Sequence, residues 1–435
     1  MRSSTPLLLT VAATCLAACT ERQPFATESD LDVAARSAKA GATPTVQFVA
    51  TRDPDVLTTV GDVVVSKSGY GSGMALVPGT SRDFYLLTDR GPNYDGPRSA
   101  GTPKRFPDPT YAPRIYRAHI SGTKLRLDGE IVLKAKNGTP MTGLPLPSLA
   151  CGNTLEIGQN VDGSGPLSDV NGLDPEGIVA LRDGSFWLSD EYGPFMVHFD
   201  ATGREIERYT PCNNGGLPEV YKLRRPNRGM EGLTITPDGQ WLVGIMQAPL
   251  ENPAQEDVRD KSLVTRILFK HLTNGSTREY LYLLDSPTIQ GNSEILALSA
   301  TRFLVLERDG TFLFGPRPAT LKRIYEIDIT NATDVSALGV LGATPVEGKT
   351  LERSTEAQLL AAGIKPVTKR ERVELTRLGY PHDKPEGLAM APGNMLFVIN
   401  DDDFGIVSQA GVLTQKILPP TTQADKPSLW QIRLP

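Results

Sequence analysis

A motif that recurs along the chain constrains the fold more than any other feature of the sequence. Each copy is an apolar run, a short Gly-containing turn and a second apolar run that ends in polar residues, which is the pattern of a β-hairpin. Four strong copies begin at Asp174, Gly229, Asn292 and Lys384, and a weaker copy begins at Gly73. Further strand-like runs follow each hairpin. Four strands per unit, repeated along 435 residues, predict a β-propeller.

The repeat therefore predicts an all-β protein, a β-propeller of four-stranded blades, with five blades counted directly. A sixth, degenerate blade could lie in residues 134–173 or 331–383, and these segments and 91–112 are expected to be long loop insertions. A large β-sandwich is the alternative, but sandwiches do not repeat a motif at the start of every sheet. Val46 to Ala50 and Leu429 to Leu434 have no neighbouring strand in sequence, and pairing them would close the ring.

Two local assignments complete this prediction of the fold. The spacing of apolar residues from Ser354 to Ala362 predicts a short helix within the last insertion. The run from Arg372 to Leu378 is expected to be the outer strand of the fourth blade.

The N-terminal segment is predicted to be an address rather than part of the fold. Residues 1–18 contain Arg2 and an apolar run of about a dozen residues, whereas a membrane span takes roughly 20. The run ends in small residues directly before Cys19, which resembles the lipobox of bacterial lipoproteins. That resemblance implies cleavage before Cys19 and lipidation of its thiol. An ordinary secretory signal is the alternative.

The same reasoning gives a location and a domain plan. Residues 19–44 are expected to form a lipid-anchored flexible tether, and residues 45–435 the propeller domain. Because Thr20 rather than Asp follows the cysteine, the expected anchor is the outer membrane, with the body facing the periplasm or the cell surface. We expect a monomer that touches the membrane only through its lipid.

Cysteine content agrees with an oxidising compartment. Cys15 lies in the signal and Cys19 carries the lipid, so Cys151 and Cys212 remain and are expected to form a disulfide. The four histidines are scattered, which disfavours a zinc site. The net charge of −5 excludes general nucleic-acid binding, which needs a basic excess.

Carboxylates recur at fixed places in the repeat and predict a metal site. The first strand of a propeller blade lines the central channel, and in four copies it carries a glutamate. Crowded carboxylates repel one another, and Ca²⁺ suits an oxygen-only ligand set. The alternative is that these glutamates bind the backbone of a neighbouring blade. The expected calcium ligands are Glu176, Glu231, Glu294, Glu386, Asp190 and Asp401.

Basic residues beside these carboxylates predict binding of a negatively charged substrate group. Arg90 follows Asp89 at the end of a strand, and the stretch from Lys222 to Arg228 leads directly into Glu231. Arginine suits phosphate through bidentate hydrogen bonds. The alternative is that the stretch is a solvated loop. We expect Arg90, Arg228 and Asp89 to bind substrate.

Several motifs together resemble the phytase-like family, also called esterase-like activity of phytase. They are Thr88-Asp89-Arg90-Gly91-Pro92-Asn93, Asp174-Pro175-Glu176-Gly177-Ile178, Ser189-Asp190-Glu191-Tyr192-Gly193-Pro194, Asn227-Arg228-Gly229-Met230-Glu231-Gly232-Leu233 and Lys384-Pro385-Glu386-Gly387-Leu388. The resemblance implies a β-propeller that cleaves phosphate or carboxylic esters of small molecules with the help of Ca²⁺. Glu176, Glu231 and Arg90 would then be catalytic. The first copy departs from the pattern, because Ala75 stands where a glutamate is expected.

Two other functions remain open at this point. One is a lactonase similar to the gluconolactonase and paraoxonase groups, and the other is a non-catalytic envelope propeller that binds a partner or a glycan. The sequence lacks a Gly-x-Ser-x-Gly elbow, a Walker A loop and a dinucleotide fingerprint. An α/β-hydrolase and nucleotide-dependent enzymes are therefore disfavoured.

Overall fold

Strands account for most of the ordered chain. The computed structural model describes residues 44–49, 51, 53–97 and 102–435. From Pro44 to Leu434 these residues form one compact unit. The predicted signal (1–18), the predicted lipidation site Cys19 and nearly all of the predicted tether (19–44) lie outside the described residues.

The first part of the described chain contains one peripheral strand, one hairpin, the first blade and a small inserted sheet. The strands are β1 (Thr45–Val49), β2 (Val56–Val60), β3 (Val63–Ser66), β4 (Gly73–Leu76), β5 (Asp83–Leu87), β6 (Tyr94–Asp95), β7 (Thr102–Phe106), β8 (Arg114–Ser121), β9 (Lys124–Val132) and β10 (Glu156–Asn160). Blade 1 is the antiparallel sheet β4-β5-β8-β9. The inserted strands β6, β7 and β10 form a separate three-stranded sheet in which β10 runs parallel to β7.

The next three blades follow one another along the chain. Blade 2 is β11 (Pro175–Ala180), β12 (Phe186–Asp190), β13 (Phe195–Phe199) and β14 (Glu205–Tyr209), and blade 3 is β15 (Met230–Ile235), β16 (Trp241–Met246), β17 (Val264–His271) and β18 (Thr277–Leu283). Blade 4 is β19 (Gly291–Ala297), β20 (Arg302–Arg308), β21 (Lys322–Asp328) and β22 (Thr368–Glu374).

Blade 5 joins the two ends of the described chain. It contains β23 (Pro385–Ala391) and β24 (Met395–Asn400), then a hairpin of β25 (Ile406–Gln409) and β26 (Val412–Gln415), and finally β27 (Leu429–Arg433). β1 pairs with β27 from Thr45 opposite Arg433 to Val49 opposite Leu429, so the order is β1-β27-β24-β23. The predicted pairing of the N- and C-terminal strands is confirmed.

Five blades close the ring among the described residues. The inner strands β4, β11, β15, β19 and β23 each pack against the next, and β23 packs against β4. The inner strands approach one another so closely that glycine is needed at the contact. A Cβ atom on Gly177 would lie 2.5 Å from the main-chain nitrogen of Leu233, and one on Gly232 would lie 2.4 Å from that of Ile295. The predicted propeller is confirmed, with five blades and without the sixth that the insertions could have held.

The hydrophobic core lies between neighbouring blades. Phe84 of blade 1 meets Phe397 of blade 5 edge to face, with ring centroids 4.9 Å apart, and Phe269 of blade 3 meets Phe303 of blade 4 at 5.5 Å. These rings are almost fully buried. Burying one such side chain contributes about 1.5–3 kcal/mol, so contacts between sheets hold the ring together.

The long insertions carry little regular structure. The helices are α1 (Gln255–Val258) and α2 (Glu356–Ala361), with 3₁₀ turns at Glu219–Leu223, Leu351–Arg353, Leu375–Leu378 and Asp403–Gly405. α2 confirms the predicted helix, and Thr355 caps its N-terminus. The expected strand from Arg372 to Leu378 is wrong in its second half, because β22 ends at Glu374 and Leu375–Leu378 turns into a 3₁₀ helix. None of the helices in the described ranges is long and apolar enough to span a membrane.

A disulfide ties the first long insertion to blade 2. Cys151 and Cys212, 61 residues apart, are bonded. Cys151 lies in the insertion that carries β10, and Cys212 lies just after β14. The predicted pairing is confirmed, and it fixes the segment that brings Glu156 to the channel.

Candidate functional site

A cavity of about 630 Å³ draws its lining from all five blades. Insertions contribute Tyr94, Leu155, Glu156 and the first strand of the β25–β26 hairpin. The charged and polar residues that line the cavity from the blades are Asp89, Arg90, Asp174, Glu176, Glu191, Glu231, Gln247, Arg308, Lys384 and Glu386. This concentration of buried charge makes the cavity the candidate functional site.

A β-bulge places equivalent side chains at the same point of blades 2 to 5. The register shifts just after the pairs Pro175–Asp190, Met230–Met246, Asn292–Glu307 and Pro385–Asn400. The residues that follow on the inner strands are Glu176, Glu231, Ser293 and Glu386, and those that follow on the second strands are Glu191, Gln247, Arg308 and Asp401. We call these positions the inner ring and the second ring, and the residues at them other than Ser293 and Asp401 line the cavity.

Blade 1 carries a serine in the inner ring. A Cβ atom on Gly73 would lie 2.6 Å from the main-chain oxygen of Glu176, as one on Gly177 would lie 2.8 Å from that of Glu231. Gly73 is thus equivalent to Gly177, and the residue before it, Ser72, takes the glutamate's position. The assignment of Ala75 to that position was wrong by three residues.

Glu294 does not join the other three glutamates. It follows Ser293 and therefore occupies the position that glycine holds in blades 2, 3 and 5. Its Oε1 accepts the main-chain N–H groups of Leu233 at 3.1 Å and Ile295 at 2.9 Å. Glu294 therefore fits the alternative interpretation, in which a glutamate binds the backbone of a neighbouring blade. The structure does not support the expectation that Glu294 is a metal ligand.

Asp190 is likewise held by the backbone. Its carboxylate accepts the N–H groups of Asp174 at 2.8 Å and Gly193 at 3.1 Å, and it does not line the cavity. Burial is the main reason that the pKa of Asp190 rises to about 7. The side chain that enters the cavity is the next one, Glu191, so the expected metal-ligand role moves from Asp190 to Glu191.

Three carboxylates converge on one side of the cavity. One oxygen from each of Asp174, Glu176 and Glu191 lies within 4.8 Å of the others. Burial first, and then the neighbouring carboxylates, raise the pKa of Glu191 to about 8 and that of Glu176 well above its ordinary value. Together with Glu231 these residues form what we call the acidic side.

The acidic side leaves oxygen atoms without hydrogen bonds. Among the described residues, Glu231 Oε2 is buried and has no hydrogen-bond donor, and the buried Asp174 Oδ2 makes no hydrogen bond but lies 3.5 Å from Arg90 Nε. Unsatisfied buried carboxylate oxygens are costly, and a cation would satisfy them. An all-oxygen set of three carboxylates, with further oxygens nearby, fits the ligands that Ca²⁺ prefers.

Glu231 differs from its neighbours because an amide holds it. The side-chain N–H of Gln247 donates to Glu231 Oε1, which leaves Oε2 free. Burial, then the charges of Glu191 and Glu386, raise the pKa of Glu231 well above its ordinary value. Its surroundings therefore favour the protonated form of this carboxyl group.

The opposite side of the cavity is already neutralised by the protein's own cations. Arg308 donates to Glu386 and, at 2.7 Å, to Ser293. Lys384 lies 3.1 Å from Asp401 and also binds Asp403. Burial alone would raise the pKa of Asp403, but the charges of Lys384 and Lys416 hold that pKa well below its usual range. Arg308, Lys384, Glu386 and Asp401 form what we call the paired side. Glu386 and Asp401 were expected to bind metal, but each already has a cationic partner.

The basic residues expected to bind substrate divide into two kinds. Arg90 is fully engaged, with Glu156 Oε2 at 2.9 Å, the Tyr192 hydroxyl at 3.3 Å and Asp174 Oδ2 at 3.5 Å. Its geometry suits holding Asp174 and Glu156 in place.

Asp89, the acidic residue expected to bind substrate, lines the cavity. It accepts the N–H of Gly91 at 2.8 Å, and burial and the charge of Asp174 raise its pKa to about 8.

Arg228 remains available to a ligand. Its guanidinium makes one hydrogen bond, to the carbonyl of Gln290 at 2.5 Å, and in the described part of the chain it has no carboxylate within salt-bridge distance. Burial, then the charge of Arg225, lower its pKa to about 10, so it is still cationic at neutral pH.

Sequence reasoning missed Asp174, Glu191, Gln247, Arg308 and Lys384 as cavity residues. A usable signal existed in the spacing. Glu191, Arg308 and Asp401 each follow the inner-ring residue of their blade by fifteen positions, whereas Asp190 follows at fourteen. In blade 3 the spacing is sixteen, from Glu231 to Gln247. The shared spacing of blades 2, 4 and 5 identifies equivalent side chains because one hairpin turns back by the same number of residues in each of these three blades.

The fold and its acidic channel mouth define the class first, a five-bladed propeller with buried carboxylates around its axis. The family model for phytase-like proteins, described as esterase-like activity of phytase, matches residues 68–404. The chain belongs to this family.

Individual relatives are distant. An uncharacterized secreted protein of Arthroderma benhamiae is 30% identical over 235 residues, which cover 43% of this chain and 46% of that protein, so the chain spans about half the length of that relative. The periplasmic gluconolactonase of Pseudomonas aeruginosa is 13% identical with a TM-score of 0.34 over 86% of this chain and 91% of the other. A luciferin-regenerating enzyme is 9% identical with a TM-score of 0.39 over 90% and 95%. No functional assignment rests on these two structures.

Proposed function

We propose that this chain is a metal-dependent hydrolase of phosphate or carboxylic esters of small molecules, with calcium as the metal. One observation carries the proposal: Asp174, Glu176 and Glu191 converge, buried, on the side of the cavity that lacks the cations of the paired side. Membership of a family named for esterase-like activity supports the reaction class.

Asp174, Glu176 and Glu191 would hold the calcium ion. Bound there, calcium would act as a Lewis acid toward the ester and activate water for attack. Arg90 orients this set, because it contacts Asp174 directly and Glu156 beside it. Asp190 orients it from behind by accepting the N–H of Asp174. Arg90 is therefore a positioning residue in this proposal rather than a group that touches the substrate.

Two further side chains would act on the substrate itself. Glu231 offers a buried carboxyl oxygen that is free of hydrogen bonds, and its raised pKa favours the protonated form, which could donate a proton to the departing oxygen. Arg228 presents free N–H donors to the same cavity and can stabilise negative charge on the ester oxygens. Asp89 can accept a hydroxyl of the substrate.

The location proposed for this activity is the bacterial cell envelope. A secreted relative and the disulfide support a compartment outside the cytoplasm. We propose that Cys19 carries a lipid that anchors a monomeric protein to the outer membrane. Replacing Cys19 with Ser is expected to move the protein from the membrane fraction to the soluble fraction, and an unchanged membrane fraction would contradict the anchor.

Hydrolysis of a panel of esters tests the activity. The purified protein is offered phytate, p-nitrophenyl phosphate, p-nitrophenyl acetate and a gluconolactone, with calcium or with EDTA. The proposal expects turnover of an ester that EDTA abolishes, that calcium restores and that Glu176→Gln lowers by at least about 100-fold. Glu294→Gln is the matched control, because Gln keeps the oxygen that accepts both main-chain N–H groups. Turnover of the lactone alone, or of nothing, would overturn the proposal in favour of a lactonase or a binding propeller.

A further inference from the structure

Three arginines form a row along one wall of the cavity. Arg225 and Arg228 come from the loop that enters β15, and Arg259 follows α1 in the connection between β16 and β17. All three belong to segments of blade 3 and line the cavity. The row begins beside the acidic side, since Glu191 and Glu231 are the carboxylates whose charges act on Arg228.

The basic stretch that the sequence singled out divides here by function. Lys222 pairs with the exposed Glu219 at 2.7 Å. The guanidinium of Arg224 donates hydrogen bonds to the main-chain carbonyls of Tyr192, Gly152 and Asn153. Those two residues are structural or solvated. Arg225 and Arg228 remain, linked by a turn in which the N–H of Arg228 donates to the carbonyl of Arg225 at 3.1 Å.

The protein does not balance the charge of this row. Arg259 binds Glu251, and Arg225 reaches only the exposed Asp260, at 3.5 Å. Arg228 has no acidic partner among the described residues. Among the described residues, the three guanidinium groups thus have two carboxylates within salt-bridge distance, and Glu191 and Glu231 act on Arg228 from beyond that distance. The charge of Arg259 disfavours the cationic form of Arg225, and the charge of Arg225 disfavours that of Arg228.

We propose that the arginine row is a subsite for an oxyanion, a carboxylate or phosphate group that the ligand carries away from the bond to be cleaved. A guanidinium fork matches the paired oxygens of such a group, and an anion between Arg225 and Arg259 relieves their mutual repulsion. The inference goes beyond the proposed function because it gives the ligand a second negative charge, and because binding of this group needs neither metal nor turnover.

Anion binding to metal-free protein tests the subsite. The purified protein is stripped of metal on a chelating resin, and calorimetric titrations are run at constant ionic strength with inorganic phosphate in one arm and succinate in the other. We expect saturable binding of at least one anion. The tighter arm identifies the chemistry of the group.

Variants separate the subsite from general attraction to a basic surface. Arg225→Gln is expected to weaken binding about tenfold, which corresponds to the roughly 1.4 kcal/mol of one charge-assisted hydrogen bond. Arg225→Lys is expected to fall between, since it keeps the charge and loses the fork. Arg126→Gln, on the exposed outer strand β9 of blade 1, should bind as the wild type does. No saturable binding in either arm, or equal affinities for Arg225→Gln and wild type, would overturn the subsite while leaving the hydrolase proposal intact.

Discussion

The acidic side and the paired side of the cavity are built from the same positions of the same repeat, yet they differ in charge balance. On the paired side the inner-ring Glu386 meets Arg308 and the second-ring Asp401 meets Lys384. On the acidic side Glu176 and Glu191 occupy the same two positions and meet each other. Arg308 occupies the second-ring position of blade 4, where blade 2 has Glu191. This one difference in residue type supplies a cation to Glu386 of the neighbouring blade 5.

This difference shows how a symmetric fold acquires an off-centre site. Where the protein supplies the cation, the pair is complete and the channel wall is closed. Where it does not, several buried carboxylates depend on protons or on a cation from solution, because an uncompensated buried charge costs several kcal/mol. We therefore expect the ion on the side of blade 2, and not on the propeller axis.

The largest effect is expected on the paired side. Glu386→Gln leaves the buried Arg308 without its main partner, and we expect the free energy of unfolding to fall by about 3–5 kcal/mol. Urea unfolding monitored by circular dichroism measures this. The loss should be the same with calcium and with EDTA, and a loss that calcium rescues would erase the distinction between the two sides.

The matching change on the acidic side is expected to behave in the opposite way. Glu176→Gln removes one of several repelling carboxylates, so without metal the melting temperature should rise. Calcium affinity, measured by calorimetry, should fall by at least about 100-fold, or roughly 2.7 kcal/mol. A variant that is destabilised in EDTA and binds calcium normally would contradict the assignment of this side.

The stability of the acidic side is also expected to depend on pH. The pKa values of Asp89 and Glu191 rise to about 8 in the folded protein, above their unfolded values, so the native state binds more protons between roughly pH 4.5 and pH 8. Without metal, the free energy of unfolding should therefore fall as pH rises through that window, by up to about 1.4 kcal/mol per pH unit per group.

Calcium competes with those protons. Its affinity should rise over the same window by up to about tenfold per pH unit for each proton released, and binding at pH 7 should release protons, which calorimetry detects in buffers of different ionisation enthalpy. Calcium affinity that does not change between pH 6 and pH 8 would show that the buried carboxylates are not its ligands.

The smallest effect is expected at Glu294. Glu294→Gln keeps the oxygen that accepts the N–H groups of Leu233 and Ile295, so calcium affinity should stay within about twofold of the wild type. The same titration as for Glu176→Gln measures it. A loss comparable to that of Glu176→Gln would restore Glu294 to the metal site.

The sequence predicted the architecture because the repeat is a local pattern. Residue spacing predicts the alternating strands, the hairpin turns and the pairing of Val46 to Ala50 with Leu429 to Leu434. The disulfide was predicted from the expected oxidising compartment. Glu176 and Glu231 were placed at the channel for the same reason, since both precede the glycine that admits the next blade.

The remainder depended on a bulge and on contacts between blades. A register shift of one residue exchanges the side chain that enters the channel for one that faces the backbone, which is why Asp190 was chosen instead of Glu191 and why Glu294 was grouped with Glu176. The pairing of Glu386 with Arg308 joins residues 78 positions apart, and no local pattern reveals it.

Anomalous diffraction from crystals grown with calcium would locate the ion. We expect a peak about 2.3–2.6 Å from carboxylate oxygens of Asp174, Glu176 and Glu191, on the side of blade 2. A peak between Glu386 and Asp401, or a carboxylate cluster without any peak in crystals saturated with calcium, would contradict it.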